Sequence, residues 1–196
     1  KGDTEQMQKM LDKGFKLDTP RPGSDDQEQA LHLAAKNGNN RVLNFLIEKG
    51  ANINSTDRFK RTALFYAVES RNPEIIKSLI DHKADINLKD IYSVSALHYA
   101  AENGYTEEAG LLLKGKADIN ALDKDQRTPF HVAIVKKQQD TAKLLLNSGA
   151  NLNAFDEDGA SPVHLICREG NLELLKLAQP DQNVINLKDR FGFTPM

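Results

Sequence analysis

The sequence predicts an all-α solenoid of short paired helices, and three observations carry that prediction. Residues of one type recur every 33 positions through most of the chain. Each period holds two apolar stretches with helical spacing, each only about two turns long. Turn-forming residues separate them at fixed offsets.

The columns share one register. Leu31, Leu64, Leu97, Phe130, Val163 and Met196 stand 33 residues apart. Ala34, Ala67, Ala100 and Ala133 keep the step, with Ile166 in the next slot. Asp57, Asp90, Asp123, Asp156 and Asp189 form a third column, and Asn54, Asn87, Asn120, Asn153 and Asn186 a fourth.

One period shows what each element is for. Thr128 suits a helix N-cap, where its hydroxyl can accept an orphan backbone N–H. Pro129 suits the first turn, where a missing N–H costs nothing. A second apolar helix runs from Thr141 to Asn147, and Gly149 allows the left-handed turn that ends it. Ala150 to Ala154 reads as a short extended loop. Helices this short are not stable alone in water, so each pair must bury its apolar face against the next.

The ends read as half-periods. Residues 2–14 align with residues 38–50 at a spacing of 36, which makes them a second helix without its first. The three extra residues fall in the turn-rich stretch Thr19 to Asp26. Thr194-Pro195-Met196 opens a further period and stops. The expected division of a single array, 1–196, is a half-repeat with its loop at 1–26, repeats at 27–59, 60–92, 93–125, 126–158 and 159–191, and a truncated start at 192–196. This pattern reads as a segment of a longer array, monomeric in isolation. Lys83, Lys116 and Gln182 stand where a helix-ending glycine is expected. Pro180 shortens the last second helix, and Glu108 and Thr141 replace the apolar Val42 and Ile75. The second half is therefore expected to be the softer one.

The period's opening motif reads Gln29-Ala30-Leu31-His32-Leu33-Ala34, Thr62-Ala63-Leu64-Phe65-Tyr66-Ala67, Ser95-Ala96-Leu97-His98-Tyr99-Ala100, Thr128-Pro129-Phe130-His131-Val132-Ala133 and Ser161-Pro162-Val163-His164-Leu165-Ile166. It resembles the Thr-Pro-Leu-His-x-Ala signature of ankyrin repeats, whose period is also 33. The resemblance implies an ankyrin-repeat solenoid of helix–turn–helix units with short β-hairpin-like loops. It implies structural histidines that bond neighbouring loops, and a concave face of loop tips and first helices that holds a protein partner. Asn87 and Asn120, each with a leucine eight residues upstream, also resemble asparagines that a hydroxylase modifies in this family; loop bracing is the simpler reading.

Composition narrows the remaining classes. A net charge of -2 argues against nucleic acid. No apolar run reaches membrane-spanning length. One cysteine, Cys167, forbids an intrachain disulfide and agrees with an intracellular setting, cytoplasmic or nuclear. The histidines lie in separate repeats, which disfavours a metal site. His164 and Cys167 share a helix side, but Cys167 stands in an apolar packing column. No phosphate loop or catalytic constellation appears, so neither an enzyme nor a cofactor is expected.

Function is expected where the framework varies. The tip columns are Phe59, Tyr92, Asp125, Asp158 and Phe191; Arg58, Ile91, Lys124, Glu157 and Arg190; and Arg61, Val94, Arg127, Ala160 and Phe193. The expected contact zone joins Arg58, Phe59, Arg61, Ile91, Tyr92 and Val94. Tyr66, Glu69, Tyr99 and Glu102 extend it along the first helices, beside a charged sector at Lys124, Asp125 and Arg127. Exposed aromatic and arginine side chains are typical interface anchors. The partner is a separate protein or, in a second reading, another part of a longer channel, multidomain enzyme or microbial effector that contains the array.

Overall fold

The computed structural model describes residues 2–14, 16–23 and 25–195, without the side chains of Gly2 and Asp3. Lys1 and Met196, which the sequence reading assigns to the terminal half-repeats, lie outside the described residues. Among the described residues there are twelve helices and no strand.

The chain forms two compact units, Lys1–Ile91 and Tyr92–Met196. The first holds α1 (Gly2–Asp12), α2 (Ala30–Lys36), α3 (Asn40–Glu48), α4 (Ala63–Glu69) and α5 (Pro73–Asp81). There α2 packs on α3 and α4, and α3 packs on α1 and α5. The core is Leu31, Leu43, Leu46, Leu64, Ile75, Ile76 and Leu79, all buried. The second unit holds α6 (Ala96–Asn103), α7 (Thr106–Lys114), α8 (Pro129–Val135), α9 (Gln139–Asn147), α10 (Pro162–Arg168), α11 (Leu172–Ala178) and α12 (Gln182–Ile185). There α8 packs on α6, α9 and α10 around Leu97, Leu112, Phe130, Leu145, Val163 and Leu165. The alanine column is buried throughout, because a larger side chain there would hold neighbouring first helices apart.

The helix starts follow their caps. Thr128 accepts His131 N–H and Pro129 is the first helical residue, as the motif requires. Asn39, Asn72 and Asn171 cap second helices by accepting the N–H three residues on. The helix after Gln138 begins at Gln139, two residues before the apolar pattern announces it.

One expectation needs correction. Gln182 is not a left-handed helix terminator. Pro180 cannot donate the N–H that a longer helix needs, so α11 stops at Ala178 and the left-handed residue is Gln179, at φ 41°. Gln182 instead opens α12, which Asp181 caps by accepting Val184 N–H at 2.9 Å. Lys83 and Lys116 do take the left-handed position, at φ 65° and 71°. The loops close as the expected hairpin-like turns, Asp57 N–H donating to Arg61 O and Asp123 N–H to Arg127 O, each at 3.0 Å.

Candidate functional site

The tips are built by the aspartate column. Asp57 Oδ1 accepts the N–H groups of Phe59 and Arg61, both at 2.8 Å. Asp123 Oδ1 does the same for Asp125 and Arg127, both at 2.9 Å. A carboxylate satisfying two backbone donors fixes a turn whose outer side chains are free to vary. The next residue but two from each aspartate is left-handed: Lys60 at φ 62° and Gln126 at φ 60°.

Neighbouring tips are laced by main-chain bonds. In the first unit Arg58 N–H donates to Asp26 O and Ile91 N–H to Phe59 O, each at 3.0 Å. In the second, Lys124 N–H donates to Tyr92 O at 3.1 Å and Glu157 N–H to Asp125 O at 2.9 Å.

Histidines tie α6, α8 and α10 to the following tips; α4 has Phe65 in that column. His98 Nδ1 accepts Ser95 N–H at 3.2 Å, so that nitrogen carries no proton. Nε2 therefore donates to Arg127 O, at 2.9 Å. His131 reaches Ala160 O and His164 reaches Phe193 O in the same way, whereas His32 reaches Ser55 O, in the loop before the tip. Burial lowers the pKa of His32 against the opposing pull of the Ser55 carbonyl, Asp57 and Glu28. Burial likewise lowers that of His131, against Asp156 and the Ala160 carbonyl. His164 has both nitrogens committed, to Ser161 and Phe193 O, and is not placed to serve as a base for Cys167. Burial raises the Cys167 thiol pKa, which disfavours the thiolate.

The candidate residues gather into one cluster in each unit. In the first unit Arg58 and Arg61 lie over the Phe59 ring, at 4.5 and 5.0 Å from its centroid. Arg61 also lies 4.9 Å from the Tyr66 ring centre, and Lys36 lies 5.5 Å from it. Tyr66, expected as an exposed extension of the patch, is instead buried at 2% exposure. Its hydroxyl donates to Asp57 Oδ2 at 2.8 Å and accepts from Arg61 Nη2 at 3.0 Å. A phenol inside needs such a partner, and Asp57 supplies it. Burial, then the bond to Asp57, raises the Tyr66 pKa well above the usual phenol range. Burial works against the Arg61 charge, but Asp57, Tyr66 and Glu69 outweigh it and raise the guanidinium pKa. Glu69 and Ile91 are exposed.

In the second unit Tyr92 is exposed, with Lys124 Nζ 5.1 Å from its ring centre. Arg127 donates from Nε to Asp123 Oδ2 at 3.0 Å and pairs with Asp125 at 2.7 Å. Val94, Glu102 and Arg127 line one small cavity of about 90 Å³ together with His98, Val132 and Lys136. Glu102 pairs with Lys136 at 2.8 Å. Tyr99 is half-buried and meets Tyr105 edge-on at 6.3 Å.

Glu28 and Lys36 escaped the sequence reading. Glu28 is buried at 4% exposure and pairs with Lys36 at 3.0 Å. Glu28 occupies the column of Arg61 one period earlier, and Lys36 occupies the column of Glu69. A Glu/Lys pair becoming Arg/Glu one repeat later was a readable signal of charges facing each other across the tip and first helix.

A family model described as ankyrin repeats in three copies matches residues 1–90 and again 92–156. The chain belongs to the ankyrin-repeat family. Ankyrin repeats are generally protein–protein interaction modules, and the family is typically non-catalytic. No curated protein matches the sequence. Among the described residues no helix is long and apolar enough to cross a membrane, and no three His, Cys, Asp or Glu side chains are grouped to hold a metal ion.

Proposed function

We propose that this ankyrin array is a protein-interaction scaffold that grips its partner through the loop tips and the adjoining faces of the first helices. One observation carries the reading: Asp57, Asp123 and Asp189 fix their tips by the same pair of bonds, while the outward residues differ from tip to tip. Folding alone asks for the first set and leaves the second to recognition. Ile91 and Tyr92 remain 45% and 51% exposed although apolar or aromatic, and such groups on a projecting tip suit an interface anchor. Tyr66 is reassigned from contact residue to the buried brace beneath Arg61.

Site-specific photocrosslinking tests this. A photoreactive residue at Phe59 or Tyr92 is expected to give one recurring adduct in cells. The same probe at Lys77 or Lys114, exposed on second helices, gives none. Adducts of equal yield at all four positions would overturn the choice of surface.

A further inference from the structure

We infer that the tip cluster of the first unit takes an acidic peptide segment, with carboxylate side chains set on Lys36, Arg58, Lys60 and Arg61. This rests on the interaction reading above and names the chemistry of the partner.

The cluster is inside-out in charge. The carboxylates paired with Lys36 and Arg61 are interior while those cations reach solvent; Asp26, beside Arg58, is itself partly exposed. The Glu28 side chain is 6% exposed, whereas Lys36, its partner, is 50% exposed. The Asp57 side chain is 0% exposed and that of Arg61 28%. A ligand therefore meets N–H donors first. Donors are also in surplus. Lys36 Nζ has three and gives one to Glu28. Arg61 gives one to Asp57 and one to Tyr66, which leaves Nη1 uncommitted. Phe59 holds both guanidinium planes against its ring, so they are set before a ligand arrives.

Lys60 is a second, independent pointer. It stands at φ 62°, a backbone state that the same column fills with glycine at Gly159 and Gly192. Among the described residues none is an ion-pair or hydrogen-bond partner of its exposed ammonium. The turn has no need of a lysine here, and its exposed charge adds to those of Arg58 and Arg61 at the same tip. The second unit lacks this character, since Arg127 is closed by two carboxylates of its own tip, Asp123 and Asp125.

Three further carboxylates border the cluster, Asp25 and Glu69 exposed and Asp26 partly so. Asp25 and Asp26 flank Arg58, whose Nε lies 3.3 Å from Asp26. Glu69 stands beside Arg61. They define where an acidic segment must end. The whole chain carries -2, so no general attraction draws an anion to it and binding must be local.

The test is fluorescence anisotropy on the full chain, with a labelled peptide of alternating glutamate and glycine and a lysine–glycine peptide as the control. The acidic peptide is expected to bind and to weaken as salt is added; the basic one is not. Lys60→Glu, whose side chain has nothing to lose in the fold, should weaken binding about five- to tenfold. Glu69→Gln should tighten it, and Lys114→Glu, on a second helix of the second unit, should leave it within about twofold. Equal binding of both peptides, or a Lys60→Glu chain that melts normally and binds as before, would overturn the proposal. Crosslinking at Phe59 with no acidic-peptide binding would leave the interaction surface standing and remove only its charge class. Failure of both would remove both.

Discussion

Arg61 and Arg127 occupy the same column, follow the same aspartate and bond to it in the same way, yet they are chemically different groups. Arg61 is packed between the rings of Phe59 and Tyr66, and Asp57 shares its second oxygen with the tyrosine hydroxyl. Arg127 is gripped by Asp123 and Asp125, and no aromatic ring takes part. The cause is one tip position, Phe59 in the first unit and Asp125 in the second, together with Tyr66 where the second unit has Val132 one period beyond Tyr99. The repeat framework thus delivers an arginine to the surface, and its neighbours decide whether the guanidinium remains available. Stacking leaves N–H donors for a ligand; a second carboxylate uses them up.

The strongest way to break this comparison is to remove the shared aspartate. Asp57→Ala strips acceptors from two backbone N–H groups, Arg61 and a buried phenol, and should cost about 3–4 kcal/mol. Asp123→Ala strips the two N–H groups and one of two partners of Arg127, and should cost about 2 kcal/mol. Urea melts combined with hydrogen exchange in each unit measure both. Equal losses would mean that Tyr66 adds nothing to the aspartate's role.

Tyr66→Phe isolates that contribution. It removes the hydrogen bond donated to Asp57 and the one accepted from Arg61 while keeping the ring under Arg61, so the loss should be about 2 kcal/mol. In an Asp57→Ala background the same change should cost much less, because the acceptor is already gone. The double-mutant cycle, read by urea melts, gives the coupling directly.

Acid should expose a feature the units share. The pKa values of His32 and His131 are lowered in the fold, so both are neutral there while the unfolded histidines titrate near 6.5. As pH falls below 6.5 the unfolded chain takes up protons that the folded chain refuses. Stability present above that pH is therefore lost progressively until the folded histidines themselves titrate. Urea midpoints between pH 8 and pH 5 should fall, and His131→Gln should flatten the fall in part. A midpoint that rose on acidification would reverse the tautomer assignment, since Nδ1 accepts an N–H in each ring.

The fold was legible because a period is imposed by the backbone. The aspartate column repeats in the sequence and does one physical job in the structure, closing the tips at Asp57, Asp123 and Asp189. The site was legible only as positions. The tip columns located Phe59, Arg61, Ile91 and Tyr92, but side-chain direction depends on what lies opposite. Tyr66 and Tyr99 share a column, and only Tyr66 sinks to 2% exposure, over an aspartate oxygen and an arginine that fit its hydroxyl. Glu28 and Lys36 were missed because their columns were read from Arg61 and Glu69 onward, one repeat too late. Gln182 was misassigned because Pro180 ends the helix before the column rule can apply.

The smallest expected difference is none at all, and it bounds the rest. Lys60 and Gln126 hold left-handed backbone at φ 62° and 60°, where a side chain costs about 1 kcal/mol and glycine nothing. Part of that gain returns as the greater freedom of glycine in the unfolded chain. Lys60→Gly and Gln126→Gly should each stabilise the chain by a few tenths to about 1 kcal/mol, and by the same amount. Equality is the point, because the strain is local and neither side chain braces its tip. If Gln126→Gly stabilises and Lys60→Gly does not, the Lys60 ammonium contributes to the fold. Lys60 would then belong with Asp57 and Tyr66 in the framework, and the cationic tip would hold one ligand group fewer.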